Sequence, residues 1–180
     1  MTFRPVTIIF LGMFFALRGP GQVIEEYQVK AAFLYNFGKF VEWPSQAFET
    51  PKDPITICVL GHNPFGNALD EVIRGKTIDG RGIVVRQVTG GEQANSCQIL
   101  FVNATDNKRY RLLCANLKAV GILTVGEAPG FAVGGGVINF KLDGDRVRFE
   151  INVDAAEHAQ LHISSKLLSL AQIVKTEKIR

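Results

Sequence analysis

The sequence predicts an α/β fold: a mostly parallel central sheet with helices on both faces, completed by a C-terminal antiparallel β-hairpin. Three observations carry this expectation. Between residues 55 and 126, short β-branched apolar runs alternate with helical patterns, as strands joined by helical crossovers do. A glycine-rich break, "PGFAVGGG", then gives way to "VINFKLDGDRVRFEINVD", whose strict alternation around Asp143-Gly144 reads as a hairpin. The 180 residues, 47% hydrophobic and 21% charged, suit one domain with one buried core.

Taken in order, Arg4 and the uncharged run Val6 to Leu17 read as an export signal. That run is short against the roughly 20 residues a membrane span needs, so residues 1–21 are expected to be a signal peptide, with an uncleaved signal-anchor as the alternative. Residues 22–180 are expected to form a single α/β domain. In "YQVKAAFLYNFGKFVEWP", helical spacing puts Val29, Phe33, Phe37, Phe40 and Val41 on one stripe with Leu34 at its edge. Gln28, Tyr35, Lys39 and Glu42 fall opposite, and Pro44 stops the helix.

"PITICVLG" reads as the first strand, followed by a helix capped by Asn63 with Pro64 at its first position. "GIVVRQV", "CQILFVN" and "GILTVGE" read as further strands, and "DNKRYRLLCANLK" as a helix. In the hairpin, Ile138, Phe140 and Leu142 should face Val147, Phe149, Ile151 and Val153. Asp154 and Glu157 have the spacing of a capping box, "LHIS" is expected to be extended, and Ser164 or Ser165 should cap a helix over "KLLSLAQIV".

Charge excludes a nucleic-acid role. The net charge is +3, and without Arg4 and Arg18 the chain carries 18 basic against 17 acidic residues with no basic cluster. No catalytic constellation emerges either. His158 and His162 have the i, i+4 spacing of a zinc-protease helix, but Ala159 occupies the position of the catalytic glutamate. No metal or cofactor is therefore expected. "GHNPFG" follows a strand and leads into a helix, where α/β sheets bind ligands, yet it lacks phosphate-loop spacing; His62 and Asn63 are its weak ligand candidates.

Three cysteines in an exported chain allow one bridge. Loop entropy does not separate the possible pairings. Adjacent strands can bring Cys58 and Cys97 within bridging distance, which favours that pair and leaves Cys114 as a small buried residue. Tyr35, Lys39, Glu42 and Trp43, which the helix stripe leaves unused, are the candidates for a partner surface.

The opening helix, "CVLGHNPFG", "GKTIDGRGIVVR" and the hairpin segment "GGGVINFKLDGDRVRFEINVDAAEHAQLHISSKLLSLAQIV" together resemble the YfiR family of exported bacterial proteins, from about Glu26 to Val174. The resemblance implies a non-enzymatic periplasmic regulator. It would bind the periplasmic domain of an inner-membrane diguanylate cyclase, or another sensor protein, and repress it, controlling cyclic di-GMP and biofilm formation. An OmpA-like outer-membrane lipoprotein as a sequestering partner, and a homodimer, are also implied. Cys58 and Cys97 match positions of a family disulfide; no cysteine follows Cys114, so the second bridge of some members cannot form. The alternative function is a periplasmic small-molecule sensor with its cleft near "GHNPFG".

Overall fold

The computed structural model of the protein describes residues 20–103 and 120–176. Helix α1 (Pro20–Phe40) leads into β1 (Val41–Glu42) and a 3₁₀ turn at Ser45–Ala47. There follow β2 (Ile55–Leu60), α2 (Ala68–Ile73), β3 (Ile83–Val88), α3 (Gly91–Ala94), β4 (Ile99–Val102) and β5 (Leu123–Gly126). The C-terminal part adds β6 (Ile138–Asp143), β7 (Arg146–Asn152), α4 (Val153–His158), β8 (His162–Ile163), α5 (Ser165–Leu168) and β9 (Gln172–Val174).

Seven strands form one sheet in the order β3-β2-β4-β5-β6-β7-β9. Every neighbouring pair is parallel except the hairpin β6–β7, so the predicted class holds. The predicted facing residues pair in register, Ile138 with Ile151, Phe140 with Phe149 and Leu142 with Val147, except that Val153 is the first residue of α4 and not part of the strand. The parallel strands are apolar on both faces, as strands covered on both sides must be. Ile57, Val59, Ile99, Phe101, Leu123 and Val125 join the larger core under α1. Cys58, Leu100 and Val102 join a second core with Ala94, Ile122 and Phe131.

Several elements depart from the sequence expectation. The buried line of α1 runs through Ala31, Leu34 and Phe37 and continues to Val41 on β1, whereas Val29 is 40% exposed and Phe33 and Phe40 are half-buried. Leu34 thus sits centrally rather than at the edge. Gly38 allows this: a Cβ there would meet Ile78, in the turn before β3, at 2.5 Å and Ile99, on β4, at 3.5 Å, so the helix packs closely on its Leu34–Gly38 side. The helix also ends at Phe40, before Trp43, because Val41 and Glu42 pair antiparallel with Ile163 and His162 and the Ser164 amide donates to the Phe40 carbonyl at 2.9 Å. Glu42 therefore lies on a strand and not on the helix.

Asn63 does not cap α2. Its Oδ1 accepts the Phe65 amide at 2.9 Å, closing a local turn, and Gly66 at φ +53° delays the helix to Ala68. Asp154 and Glu157 do not form the cap of α4 either: Asn152 does, its Oδ1 accepting the Ala155 amide at 3.0 Å. Ser164 caps α5 as expected. That helix stops at Leu168, and Gln172–Val174 instead become β9, parallel to β7. The hairpin is therefore not the last addition to the sheet. Its outer strand would otherwise leave a row of unpaired amides, and β-branched Ile173 and Val174 suit a strand better than a last helical turn. The signal run Val6 to Leu17, the helix expected over 106–118 and Cys114 lie outside the described residues.

Candidate functional site

The Cys58–Cys97 disulfide is formed, with the two Cα atoms 5.9 Å apart. Cys58 lies on β2 and Cys97 just before β4, its parallel neighbour. The next residue, Gln98, is a buried polar hub. Its Oε1 accepts the Thr56 amide at 2.9 Å, its Nε2 donates to the Ala47 carbonyl at 2.7 Å, and its carbonyl accepts Trp43 Nε1 at 3.2 Å. The tryptophan is thereby tied, through one residue, to the disulfide.

Trp43 is half-buried: part of it packs on the larger core and part lines an open groove. Glu42, Phe48, Glu49, Asp79 and Arg81 line the same groove. The loop that forms it is well fastened. Asp53 accepts from the Glu49 and Thr50 amides and the Thr50 hydroxyl; the Thr50 hydroxyl and amide hold its carboxyl below the usual carboxylate range. Arg81 donates to the Asp53 carbonyl at 2.8 Å and to that of Thr50 at 3.3 Å, and its guanidinium lies 3.7 Å over the Phe48 ring. Gly121 is needed beside this loop, because a Cβ there would meet the Ala47 Cβ at 2.8 Å.

Of the four residues expected on a partner surface, Glu42 and Trp43 thus share one groove, while Tyr35 and Lys39 stand apart from it. Lys76, just beyond α2, lies 4.7 Å from the Tyr35 ring centre and Lys39 5.8 Å. They make a separate basic, aromatic patch.

The weak ligand loop is occupied with its own closure. The His62 carbonyl accepts Asn103 Nδ2 at 2.6 Å, and Phe65 packs edge-on against Phe101 and Tyr27 at 4.8 and 5.4 Å, which fills the strand ends below it. His158 and His162 belong to different elements, separated by Gln160 at φ +56°. Among the described residues, no group of three or more His, Cys, Asp or Glu side chains could hold a metal ion.

Sequence reasoning missed a buried charge cluster. Lys30, only 4% exposed, reaches Glu127 Oε2 at 2.6 Å and Glu26 Oε1 at 2.5 Å, and Tyr27 donates its hydroxyl to Glu127 Oε1 at 3.0 Å. Burial first, then the Glu127 charge and hydrogen bond, push the Tyr27 phenol far above its ordinary value. The cluster pins α1 to the end of β5. The Glu26–Lys30 spacing is visible in sequence as an i, i+4 pair; Glu127 is visible only in three dimensions. Breaking a buried pair outright costs roughly 3–5 kcal/mol. Since Glu26 would still hold Lys30, Glu127→Gln is expected to destabilise by about 2 kcal/mol; urea unfolding should show a lower midpoint with an unchanged slope.

A comparison with protein families places these features. The model of the YfiR/HmsC-like family matches residues 27–172. The chain belongs to the YfiR/HmsC-like family. Its members are regulatory rather than catalytic proteins of the periplasm, tied to diguanylate cyclase signalling. The match takes in β1 to β8 and the first residue of β9, the disulfide, the Trp43 groove and, of the Lys30 cluster, all but Glu26 in this YfiR/HmsC-like protein. Among its described residues, no helix is long and apolar enough to cross a membrane.

Proposed function

We propose that this protein is an exported, non-enzymatic repressor that binds the periplasmic domain of an inner-membrane diguanylate cyclase and holds its activity down, limiting cyclic di-GMP and biofilm formation. The family match carries this reading. The pinned aromatic groove at Trp43 and the cationic patch at Tyr35 and Lys39 support it, since preorganised aromatic and charged side chains are what anchor protein interfaces. An OmpA-like lipoprotein that sequesters the repressor, and a homodimeric state, complete the proposal.

The test is capture of host cyclase periplasmic domains by the purified chain, with cyclic di-GMP measured in a deletion strain. The expected result is one cyclase domain retained and a rise in cyclic di-GMP on deletion. Unchanged nucleotide levels with no cyclase captured would sink the reading.

A further inference from the structure

The Trp43 groove has an excess of negative charge that nothing described neutralises. Glu42, Glu49 and Asp79 are exposed at its rim, and among the described residues none of the three carboxylates takes part in an ion pair or hydrogen bond. Among the described residues that line the groove the one cation is Arg81, whose guanidinium is already engaged by Phe48 and two carbonyls. Trp43 and Phe48, both half-buried, line it and are held in place by Gln98 and by the Asp53-capped loop, with Arg81 over the Phe48 ring. Aromatic faces ringed by carboxylates attract a cation twice, through the ring quadrupole and through charge. Arg81 over Phe48 shows that the groove already accommodates one guanidinium in this manner.

We infer that the groove is the docking point for a basic segment of the partner protein, with an arginine or lysine head seated against Trp43 between Glu42, Glu49 and Asp79. This rests on the partner-binding reading above and specifies the chemistry of the partner. An arginine head fits better than lysine, because its planar guanidinium stacks on a ring while its donors reach carboxylates at the edge. The groove faces open solvent, so the charge term is screened by salt and the docking should weaken as ionic strength rises.

Trp43 is the chain's one tryptophan, so its emission reports on this groove directly. The full chain is titrated with the peptide acetyl-Gly-Arg-Gly-amide and with its neutral citrulline analogue, at low and high salt. The expected result is a saturable change in Trp43 emission with the arginine peptide, reduced by salt. The change should be at least about tenfold weaker with citrulline, and in an E42Q/E49Q/D79N variant that melts as the parent does. No saturable change, or equal binding of citrulline, overturns the inference. A change produced by raising protein concentration alone also overturns it, by assigning the groove to a second copy of the chain.

In a second arm, the cyclase periplasmic domain is presented to the parent and to the triple variant. Capture by the parent and loss with the variant supports the inference; equal capture by both overturns it while the repressor reading stands. If the parent captures no cyclase domain, the repressor reading fails and the peptide titration alone decides the groove.

Discussion

Removal of the Cys58–Cys97 bridge is expected to lower the unfolding free energy by about 4 kcal/mol. The bridge closes a separation of 39 residues, which contains β3, α2 and α3. Opening it frees that loop in the unfolded ensemble, and the chain-entropy relation for a loop of this length gives the stated loss. Both cysteines are fully buried in the second core, so a Cys58→Ala/Cys97→Ala variant also leaves unfilled space there. Against a typical stability of roughly 5–15 kcal/mol the loss is severe; for a chain of this size it corresponds to a drop in Tm of about 8–16 °C. Calorimetry with and without reductant, and on the double variant, measures it, with Cys114→Ala as the control that keeps the bridge. The loosening should also reach Trp43. Gln98, adjacent to Cys97, holds the indole through its carbonyl and the neighbouring loop through its amide, so reduction should shift Trp43 emission before the chain unfolds. A loss under about 1 kcal/mol would mean that residual structure already confines this loop in the unfolded chain.

Strands β2 to β7 were legible because each carries its own signal. "ITICVL" and "ILFV" are apolar on both faces, and "INFKLD" alternates into an Asp-Gly turn, so register followed from the pattern. The disulfide was legible once the strands were, since it needed only that two of them be neighbours. What escaped were choices made by partners distant in sequence. Nothing near Phe40 says that α1 must end there; His162 and Ile163, some 120 residues on, decide it by pairing with Glu42 and Val41. Asn152 competes with Asp154 as a cap, and wins because β7 delivers it fully buried to the helix start, where Ala132 and Thr176 hold its amide. The short stretch "QIV" has too few residues to show a period, and only the open edge of β7 makes it a strand.

The candidate site was half legible for the same reason. Glu42 and Trp43 stood out as residues the helix stripe left over. Phe48 and Glu49 reach them across a proline-punctuated loop, and Asp79 and Arg81 come from the turn before β3. The one local signal for that turn is "DGRG", where Asp79 takes a left-handed conformation at φ +50° that aspartate tolerates better than most residues. Lys30 was missed outright. Its position on a helix reads as solvent-facing until Glu127 is brought over it by the end of β5.

The rotation of α1 gives the other large effect. By spacing alone, Phe33, Phe37 and Phe40 are equivalent members of one stripe, and truncation of any should cost the same. In the fold they are not equivalent. Phe37 is fully buried, with the rings of Phe33, Phe140 and Phe149 at 5.8, 5.7 and 5.1 Å. Phe33 opens on one side to a groove shared with the hairpin tip, and Phe40 is half-buried beneath Lys166 at 5.3 Å. Phe37→Ala is therefore expected to destabilise by about 4 kcal/mol, from lost burial plus the cavity left among three rings that cannot close over it. Phe33→Ala and Phe40→Ala, which lose less buried area and leave space open to water, should each cost about half of that. Phe37→Leu keeps most of the volume and should cost under about 1.5 kcal/mol. Urea unfolding of the four variants orders them, provided the slopes agree. Equal losses for the three alanine variants would contradict a helix seated on its Leu34–Gly38 side and return the buried line to the one the spacing alone suggests.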